Sequence, residues 1–318
     1  MKVGGVSIQH PAALAPMEEH TNYPFRKFMK DHGAALVCSE RIDARDVARR
    51  DRRALKLLWT RQDESPRAGQ VSGRDPGEMA EAARVIEELG HDFVDLNFEC
   101  PIRRLLDRGE GGALLADPSA IGRIVASVRR AVRIPLTLKI RTGPDADRET
   151  AVEVGRAAEA EGAAAVDLHA RSVAQAYKGG ADWGAIARLK AALSIPVFGS
   201  GGIRTAEDAV ALVQATGADL VAVGRGCLGN PWIFRQARAL FLGGPRLPSP
   251  SPAERGRALL NLVGRQVEYM GRVLALKTLS RTACYFARFL PRFEEFRRAI
   301  HQVRDLRELK PLVQDHFR

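Results

Sequence analysis

Cysteine, metal-binding spacings and long hydrophobic runs are all scarce in this sequence. No run approaches the ~18 apolar residues that a membrane-spanning helix needs, and the first seven residues lack the hydrophobic core of a signal peptide. The 318 residues include 4 cysteines, with no Cys-x-x-Cys pair and no histidine spacing suited to zinc. They are Cys38, Cys100, Cys227 and Cys284. We therefore expect a cytoplasmic protein with reduced cysteines, no metal, no membrane association and no evident protein partner.

A glycine fingerprint of the form Gly-x-Gly-x-x-Gly is also missing after the first predicted strand, which argues against a doubly wound dinucleotide-binding sheet. Instead, eight short apolar runs are each followed by a helix-like segment. They span residues 12–15, 35–38, 69–72, 93–98, 135–140, 164–168, 196–199 and 219–223. Eight such units in about 230 residues predict an α/β fold of the (β/α)8 type, a TIM barrel.

A proline-rich and glycine-rich stretch follows the eighth unit. Residues 243–252 read Gly-Gly-Pro-Arg-Leu-Pro-Ser-Pro-Ser-Pro, which interrupts all periodicity. The rest of the chain shows helical patterns without strand-like runs. We therefore predict a barrel over residues 1–242, a linker over 243–252 and a small helical bundle over 253–318.

Positive charge is concentrated in the C-terminal part of the chain. Residues 241–318 contain 15 Lys or Arg against 7 Asp or Glu, so they carry +8 of the net charge of +11. This concentration is typical of a surface that binds a polyanion, most simply nucleic acid. A solvated, arginine-rich helical surface would give the same composition, so the charge alone leaves both interpretations open.

One cysteine comes directly after a predicted strand. Cys100 follows Asn97 and Glu99 at the end of the fourth run, and Pro101 prevents the strand from continuing. In a barrel of this type the carboxyl ends of the strands carry the chemistry, so a thiol at this position can reach a ligand. Its ordinary pKa of about 8.5 keeps it mostly protonated at neutral pH, which suits a proton donor. The alternative is a small buried hydrophobic residue.

Other polar residues lie at the ends of the predicted strands. Lys139 alternates with two apolar neighbours and so points into the barrel, where a cation requires a negative charge or an electron-rich ring. Gln70 and Asn97 can hydrogen bond to the amide-like edge of a heterocycle. His169 and Arg171 end the sixth run at the same rim, and we predict that they contact a ligand.

Glycine-rich loops follow the seventh and eighth runs. They are Ser200-Gly201-Gly202 and Gly224-Arg225. Loops at these positions form the usual phosphate site of this architecture, where backbone N–H groups and a helix N-terminus point at the anion. The sequence therefore predicts a phosphate site with Arg225 as a charged donor.

Taken together, these segments resemble the bacterial flavin-dependent tRNA-dihydrouridine synthases. The resemblance covers residues 13–234 as the barrel, and the basic helical tail fits the family layout. The order and spacing of several motifs carry it. They are Ala15-Pro16-Met17, Pro24-Phe25-Arg26, Gln70-Val71-Ser72-Gly73, Leu96-Asn97 to Cys100-Pro101, Leu138-Lys139-Ile140-Arg141-Thr142-Gly143, His169-Ala170-Arg171, Ala181-Asp182-Trp183, Val223-Gly224-Arg225 and Gly229-Asn230-Pro231-Trp232.

The resemblance implies a reaction and a set of roles. It implies that FMN binds at the barrel mouth, that NADPH reduces it, and that hydride passes to C6 of a uracil in tRNA. Cys100 would protonate C5, while Asn97 and Arg171 would face the flavin or the base. The implied cofactor contacts are Pro16, Met17, Gln70, Lys139, His169, Ser200, Gly201, Gly202, Gly224 and Arg225.

The basic tail would then hold the tRNA backbone, since the target uracil must leave its stack to reach the flavin. The candidate arginines are Arg281, Arg288, Arg292, Arg297 and Arg298. Tyr285 and Phe286 are candidates either for stacking on bases or for the core of the tail.

Three departures from the family pattern are visible. Glu99 replaces the glycine that usually precedes the cysteine, Asn22 stands where aspartate is frequent, and Ser200-Gly201-Gly202 replaces Asn-Gly-Asp. We expect Glu99 to raise the pKa of the thiol by like-charge repulsion.

Three other functions stay open on the sequence alone. A flavin oxidoreductase acting on a small molecule explains the barrel mouth but leaves the basic tail without a purpose. An RNA-binding protein that has lost catalysis explains the tail but not the intact Cys100 and Lys139. A phosphate-binding lyase without flavin is the third. Bound flavin, retention of tRNA and a Cys100→Ala variant distinguish them.

Overall fold

The computed structural model describes all residues from Met1 to Arg318. The strands are β1 (Lys2–Val3), β2 (Val6–Ser7), β3 (Ala12–Leu14), β4 (Val37–Cys38), β5 (Ile42–Asp43), β6 (Arg67–Ser72), β7 (Phe93–Asn97), β8 (Leu136–Arg141), β9 (Ala165–His169), β10 (Val197–Ser200) and β11 (Leu220–Val223).

The helices are α1 (Tyr23–Asp31), α2 (Ala44–Ala48), α3 (Arg52–Leu58), α4 (Pro76–Glu88), α5 (Arg103–Leu106), α6 (Pro118–Ala131), α7 (Ala151–Ala160), α8 (Trp183–Ala192), α9 (Ala206–Thr216), α10 (Ile233–Phe241), α11 (Pro252–Met270), α12 (Arg272–Ala287), α13 (Phe293–Gln302) and α14 (Leu309–His316). Short 3-10 helices lie at Gln62–Glu64, Gly111–Ala116, Arg225–Cys227 and Leu306–Glu308.

Eight of the strands form a parallel barrel. Their order around the sheet is β3-β11-β10-β9-β8-β7-β6-β4. The Leu14 N–H donates to the Leu36 carbonyl and the Ala35 N–H donates to the Ala12 carbonyl, so β3 also joins the segment that leads into β4. Each of the eight predicted runs overlaps one of these strands, and the predicted (β/α)8 barrel is confirmed.

The helices around the barrel begin where the sequence provides caps. The side chains of Asp75 and Asp117 accept backbone N–H bonds at the starts of α4 and α6, and a proline occupies the first turn of each. Thr205 and Asp208 form a reciprocal capping box at α9. The helices then bury their apolar faces against the sheet in one large apolar cluster.

An unpredicted hairpin covers the end of the barrel at which the parallel strands begin. β1 and β2 pair antiparallel. Val3 of β1 and Ile8, just after β2, pack with Phe93, Phe198 and Leu220 in a second apolar cluster. Strands of two residues leave too short a pattern to detect in a sequence. The barrel interior is therefore apolar where the strands begin, and its polar side chains lie where the strands end.

The C-terminal segment is helical and packs against the barrel. Residues 243–251 contain no helix or strand, and α11 to α14 follow. Leu262 and Phe286 of this segment belong to the same buried cluster as Phe25 and Phe28 of α1. The tail therefore shares a core with the barrel, and its division from the barrel at 243–252 stays a prediction. None of the helices combines the length and the apolar character needed to cross a membrane.

Candidate functional site

The register of the parallel strands decides which polar residues become neighbours. The pairing of β7 with β8 places Asn97 beside Lys139. The pairing of β8 with β9 places Lys139 beside Asp167 and Arg141 beside His169. Since alternate residues of a barrel strand face inward, these side chains form a polar layer above the apolar end of the barrel.

Lys139 lies at the centre of this layer. Its side chain is 3% exposed, and Nζ donates to Asp167 Oδ2 at 2.9 Å and to Ser200 Oγ at 3.1 Å. Glu99 Oε2 lies 3.8 Å from Nζ. Burial opposes the charge, but the carboxylates of Asp167 and Glu99 hold the pKa of Lys139 above its ordinary value. The chain itself therefore supplies negative charge that the sequence analysis expected from a ligand.

A chain of hydrogen bonds connects the barrel interior with the loop that follows β7. Thr137 Oγ1 donates to Asp95 Oδ1 at 2.5 Å, and Gln70 Nε2 donates to Asp95 Oδ2 at 2.6 Å. Asn97 Nδ2 donates to Gln70 Oε1 at 3.0 Å, while Asn97 Oδ1 accepts from the Cys100 N–H at 3.1 Å. Burial raises the pKa of Asp95 to about 6. Each side-chain amide keeps a second N–H that a ligand can use.

This network positions Cys100 at the barrel mouth. The residue is 8% exposed, and its carbonyl accepts from the Gly112 N–H at 3.1 Å. A Cβ on Gly111 would lie 3.0 Å from the same carbonyl, so the glycine allows the two segments to approach. Burial raises the pKa of the Cys100 thiol; Arg41 opposes this and Glu99 adds to it. The expected rise is present, but burial is its largest cause and like-charge repulsion contributes less.

The Glu99 carboxylate contacts side chains of β8 and β9. Its Oε2 lies 3.3 Å from His169 Nδ1, and Arg171 Nη1 lies 3.3 Å from His169 Nε2. Because a guanidinium can only donate, Nε2 must accept, and the imidazole proton on Nδ1 is donated to Glu99. Burial favours this neutral form, since it lowers the pKa of His169. Glu99 thus orients His169 and pairs with Lys139.

The rim beside His169 carries several cations. Arg141 is fully buried, and the guanidinium groups of Arg141 and Arg225 lie 5.2 and 5.0 Å from the ring centroid of Tyr177. Burial lowers the pKa of Arg171, and the charges of Arg225 and Arg141 lower it further. Nη2 of Arg141 is buried without a hydrogen-bond partner. An anion bound at this rim would relieve the repulsion and satisfy that donor.

The glycines after β10 are required by the backbone. Gly201 and Gly202 have φ of +111° and +83°, values that residues with a side chain rarely adopt. A Cβ on Gly201 would also lie 3.0 Å from the His169 ring. Asp208 accepts from the N–H groups of Arg204 and Thr205, each at 2.9 Å. Two N–H groups at the start of this helix therefore already have an acceptor within the chain. The anion site expected at this loop, with Arg225 as a charged donor, stays a prediction.

The loop after β3 approaches the loop after β11. Pro16 and Met17 are half-buried there, and a Cβ on Gly224 would lie 4.0 Å from Met17 Sδ. Asn22, the second departure from the family pattern, accepts from the Phe25 N–H at 3.2 Å and caps α1. Its role in this structure is a helix cap.

Several tail arginines that the sequence analysis selected are paired with acids. Arg281 bonds to Glu19, while Arg292 bonds to Glu295 and Arg297 to Glu294. Arg288 and Arg298 are exposed and form no ion pair. Of the two aromatic candidates, Phe286 is 1% exposed and belongs to the core, so it cannot stack on a base. Tyr285 is half-buried.

Three functional candidates were not identified from the sequence. Asp95 and Asp167 were hidden within apolar strands, and Tyr177 lies in an irregular loop. The alternation that placed Lys139 inside the barrel also places Asp95 on the face of Asn97 and Asp167 on the face of His169. That signal could have found the two carboxylates.

Comparison with known proteins finds a matching family model and relatives that carry the same family description. A family model described as dihydrouridine synthase matches residues 13–318. The chain is 34% identical to tRNA-dihydrouridine synthase B of Pseudomonas syringae pv. tomato, over 100% of this chain and 94% of that protein. It is 36% identical to a probable tRNA-dihydrouridine synthase of Mycobacterium tuberculosis, over 98% of this chain and 84% of that protein.

A solved structure supports the fold alone. The complex of 2-naphthoyl-CoA reductase with 2-naphthoyl-CoA superposes with a TM-score of 0.58 at 14% sequence identity. The match covers 77% of this chain and 52% of the reductase chain, so the present chain spans about half of that protein.

Proposed function

Since the chain belongs to the dihydrouridine synthase family, we propose that it reduces the 5,6 double bond of specific uridines in tRNA, with FMN as its flavin and NADPH as the reductant. The observation that carries this proposal is the placement of Cys100. Its buried thiol has a raised pKa, and the residue is held at the barrel mouth by Asn97, which itself lies beside Lys139 of the next strand. A thiol of raised pKa is suited to donate a proton rather than to attack as a nucleophile.

The residues at the mouth fit a phosphorylated flavin. Arg141 offers a buried N–H without a partner, and Arg225 adds a second cation. Gly201 and Gly202 have no side chains that would cover their backbone N–H groups. Lys139 Nζ donates to Asp167 and Ser200, which leaves its third N–H for the flavin ring. Further contacts are proposed for Pro16, Met17, Gln70, His169, Ser200 and Gly224.

The roles of the protein groups follow from this arrangement. When bound, the flavin supplies the hydride that is added to C6 of the uracil. Cys100 donates its thiol proton to C5, and the resulting thiolate regains a proton from solvent. Each dihydrouridine thus consumes one NADPH and one proton. Asn97 orients the cysteine loop, Glu99 orients His169, and Arg171 faces the base or the flavin.

The tail holds the RNA in this proposal. Residues 1–242 form the catalytic barrel, 243–252 the linker, and 253–318 the tRNA-binding segment, with Arg281, Arg288, Arg292, Arg297 and Arg298 as phosphate contacts. Arg281 contacts the barrel through Glu19, so it also fixes the tail beside the mouth. We place the protein in the cytoplasm, where its four free cysteines stay reduced.

The product tests this function directly. The protein is incubated with NADPH and with tRNA transcribed in vitro, which contains no dihydrouridine, and the digested nucleosides are analysed by mass spectrometry. We expect dihydrouridine at defined positions with the wild type, and formation of the same product far more slowly with Cys100→Ala. A flavin-loaded protein that NADPH reduces but that forms no dihydrouridine would favour the small-molecule oxidoreductase instead.

A further inference from the structure

The loop between α12 and α13 exposes an aromatic side chain on a strained backbone. Phe289 is 86% exposed, more than any other large apolar residue of the chain. Its φ is +71°, in the left-handed region that bulky residues avoid because Cβ crowds the backbone. Neither the core nor a conformational preference accounts for a phenylalanine here. Such an outlier indicates a role outside the fold itself.

The surroundings of Phe289 carry uncompensated positive charge. The Arg288 guanidinium lies 5.0 Å from the ring centroid of Phe289. Arg288 is exposed and forms no ion pair. The acids in the first turn of α13 are paired with arginines, Glu295 with Arg292 and Glu294 with Arg297. The loop therefore combines an open aromatic face with a cation available to an anion.

The end of α12 lies on the side of the barrel mouth. A Cβ on Gly229, in the loop after β11, would lie 2.1 Å from the carbonyl oxygen of Tyr285. The ring of His20, in the loop after β3, lies 5.9 Å from the ring of Tyr285. Both loops follow the carboxyl ends of barrel strands. Phe289, about one turn beyond Tyr285, is thus near the end of the barrel that carries Cys100.

We propose that Phe289 and Arg288 form a stacking site for one unpaired nucleotide of the substrate RNA, outside the target uridine. The proposal rests on the proposed function, because it takes RNA as the substrate. An aromatic face stacks on a base of any identity, and a cation beside it binds the phosphate. The nucleotide must be unpaired, since the faces of a base within a duplex are covered by its neighbours.

Three variants test the stacking site. Phe289→Gly removes the ring and also relieves the left-handed strain, so we expect a higher Tm together with an about tenfold weaker Kd for tRNA. Phe289→Trp keeps an aromatic face and should bind as the wild type does. Leu242→Ala is the matched control, because Leu242 is 68% exposed and apolar but lies outside the proposed site; its Kd should not change.

The expected rise in Tm and the expected weakening of tRNA binding have opposite signs, so a loss of folding cannot explain the loss of binding. If Phe289 served only the fold, Phe289→Gly would lower the Tm and leave the Kd for tRNA unchanged, which would overturn the stacking site. A fully paired RNA duplex is the second probe, and its weaker binding should not respond to Phe289→Gly. If the variant binds tRNA as tightly as the wild type and uridine reduction continues, this inference fails while the proposed function stands. If the wild type neither binds nor reduces tRNA, the proposed function fails and the stacking site with it.

Discussion

The barrel mouth buries its charges in a fixed network, whereas the helical tail displays them in exposed pairs. Lys139 is 3% exposed and lies 2.9 Å from Asp167, while the Arg297 side chain is 51% exposed and pairs with Glu294 on its own helix. Removing one partner of a buried pair leaves an unsatisfied charge, but water replaces a partner at the surface. Function should therefore depend on individual residues at the mouth and on the summed charge in the tail.

Cys100→Ala gives the largest effect that this contrast predicts. The variant loses the proton donor but no group that holds RNA, so we expect uridine reduction to slow by about 10²–10⁴-fold with an unchanged Kd for tRNA. Single-turnover reduction and filter binding measure the two quantities. Cys284→Ala, a half-buried cysteine of α12, is the control and should keep full activity. Loss of tRNA binding by Cys100→Ala would contradict the assigned role.

Asp167→Ala tests how much the buried pair contributes. Because Lys139 would lose its hydrogen-bonded carboxylate, we expect the free energy of unfolding at pH 7 to fall by about 3–5 kcal/mol, measured in urea. The double variant Lys139→Met/Asp167→Leu should recover part of this loss. The exposed counterpart Glu294→Ala should cost less than about 1 kcal/mol. Equal losses of unfolding free energy in Asp167→Ala and Glu294→Ala would contradict the difference between the barrel mouth and the tail.

The variant Glu99→Gln tests the buried ion pair at the barrel mouth through the pH dependence of the unfolding free energy. Burial opposes the carboxylate charge, but Lys139 and His169 hold the pKa of Glu99 at about 2, below the ordinary 4.5. A lowered pKa stabilises the fold fully above pH 4.5, and the stabilisation is lost as the pH falls towards 2. We expect the wild type to exceed the variant by on the order of 2 kcal/mol in unfolding free energy at pH 6. The gap should shrink at pH 3; a gap that does not change with pH would exclude the ion pair.

The smallest effects are expected in the tail. Arg298 forms no ion pair, so Arg298→Glu should weaken tRNA binding and reduce the slope of log K against log salt by about 1. Arg297→Glu should change the slope less, since Glu294 already compensates this charge. The Kd measured at several salt concentrations gives both slopes. Unchanged slopes for both variants would mean that this face of α13 does not contact RNA.

The barrel strands and the end of the barrel that carries the site were predictable, because apolar runs, helix caps and strand ends are local features of the sequence. The inward direction of Lys139 followed from alternation, but its partner Asp167 depends on the register between β8 and β9. A pairing between strands that are distant in sequence leaves no local signal.

The tail was harder to predict for a different reason. Composition reveals an excess of arginine, but it does not reveal that Arg281 bonds to Glu19, more than 200 residues earlier. Phe289 lies in a loop and has a positive φ, and no periodic pattern in the sequence reports either its conformation or its exposure. Phe286 and Phe289 are both aromatic residues in a basic segment, yet only the second is accessible.

Anaerobic reoxidation of the bound flavin tests the central claim most directly. The flavin is reduced with NADPH, the excess reductant is removed, and the protein is mixed with tRNA that lacks dihydrouridine while the absorbance of oxidised flavin is followed. We predict that tRNA restores this absorbance and that free uridine does not. A protein whose flavin stays reduced in the presence of tRNA would contradict the assignment of the barrel as a tRNA uridine reductase.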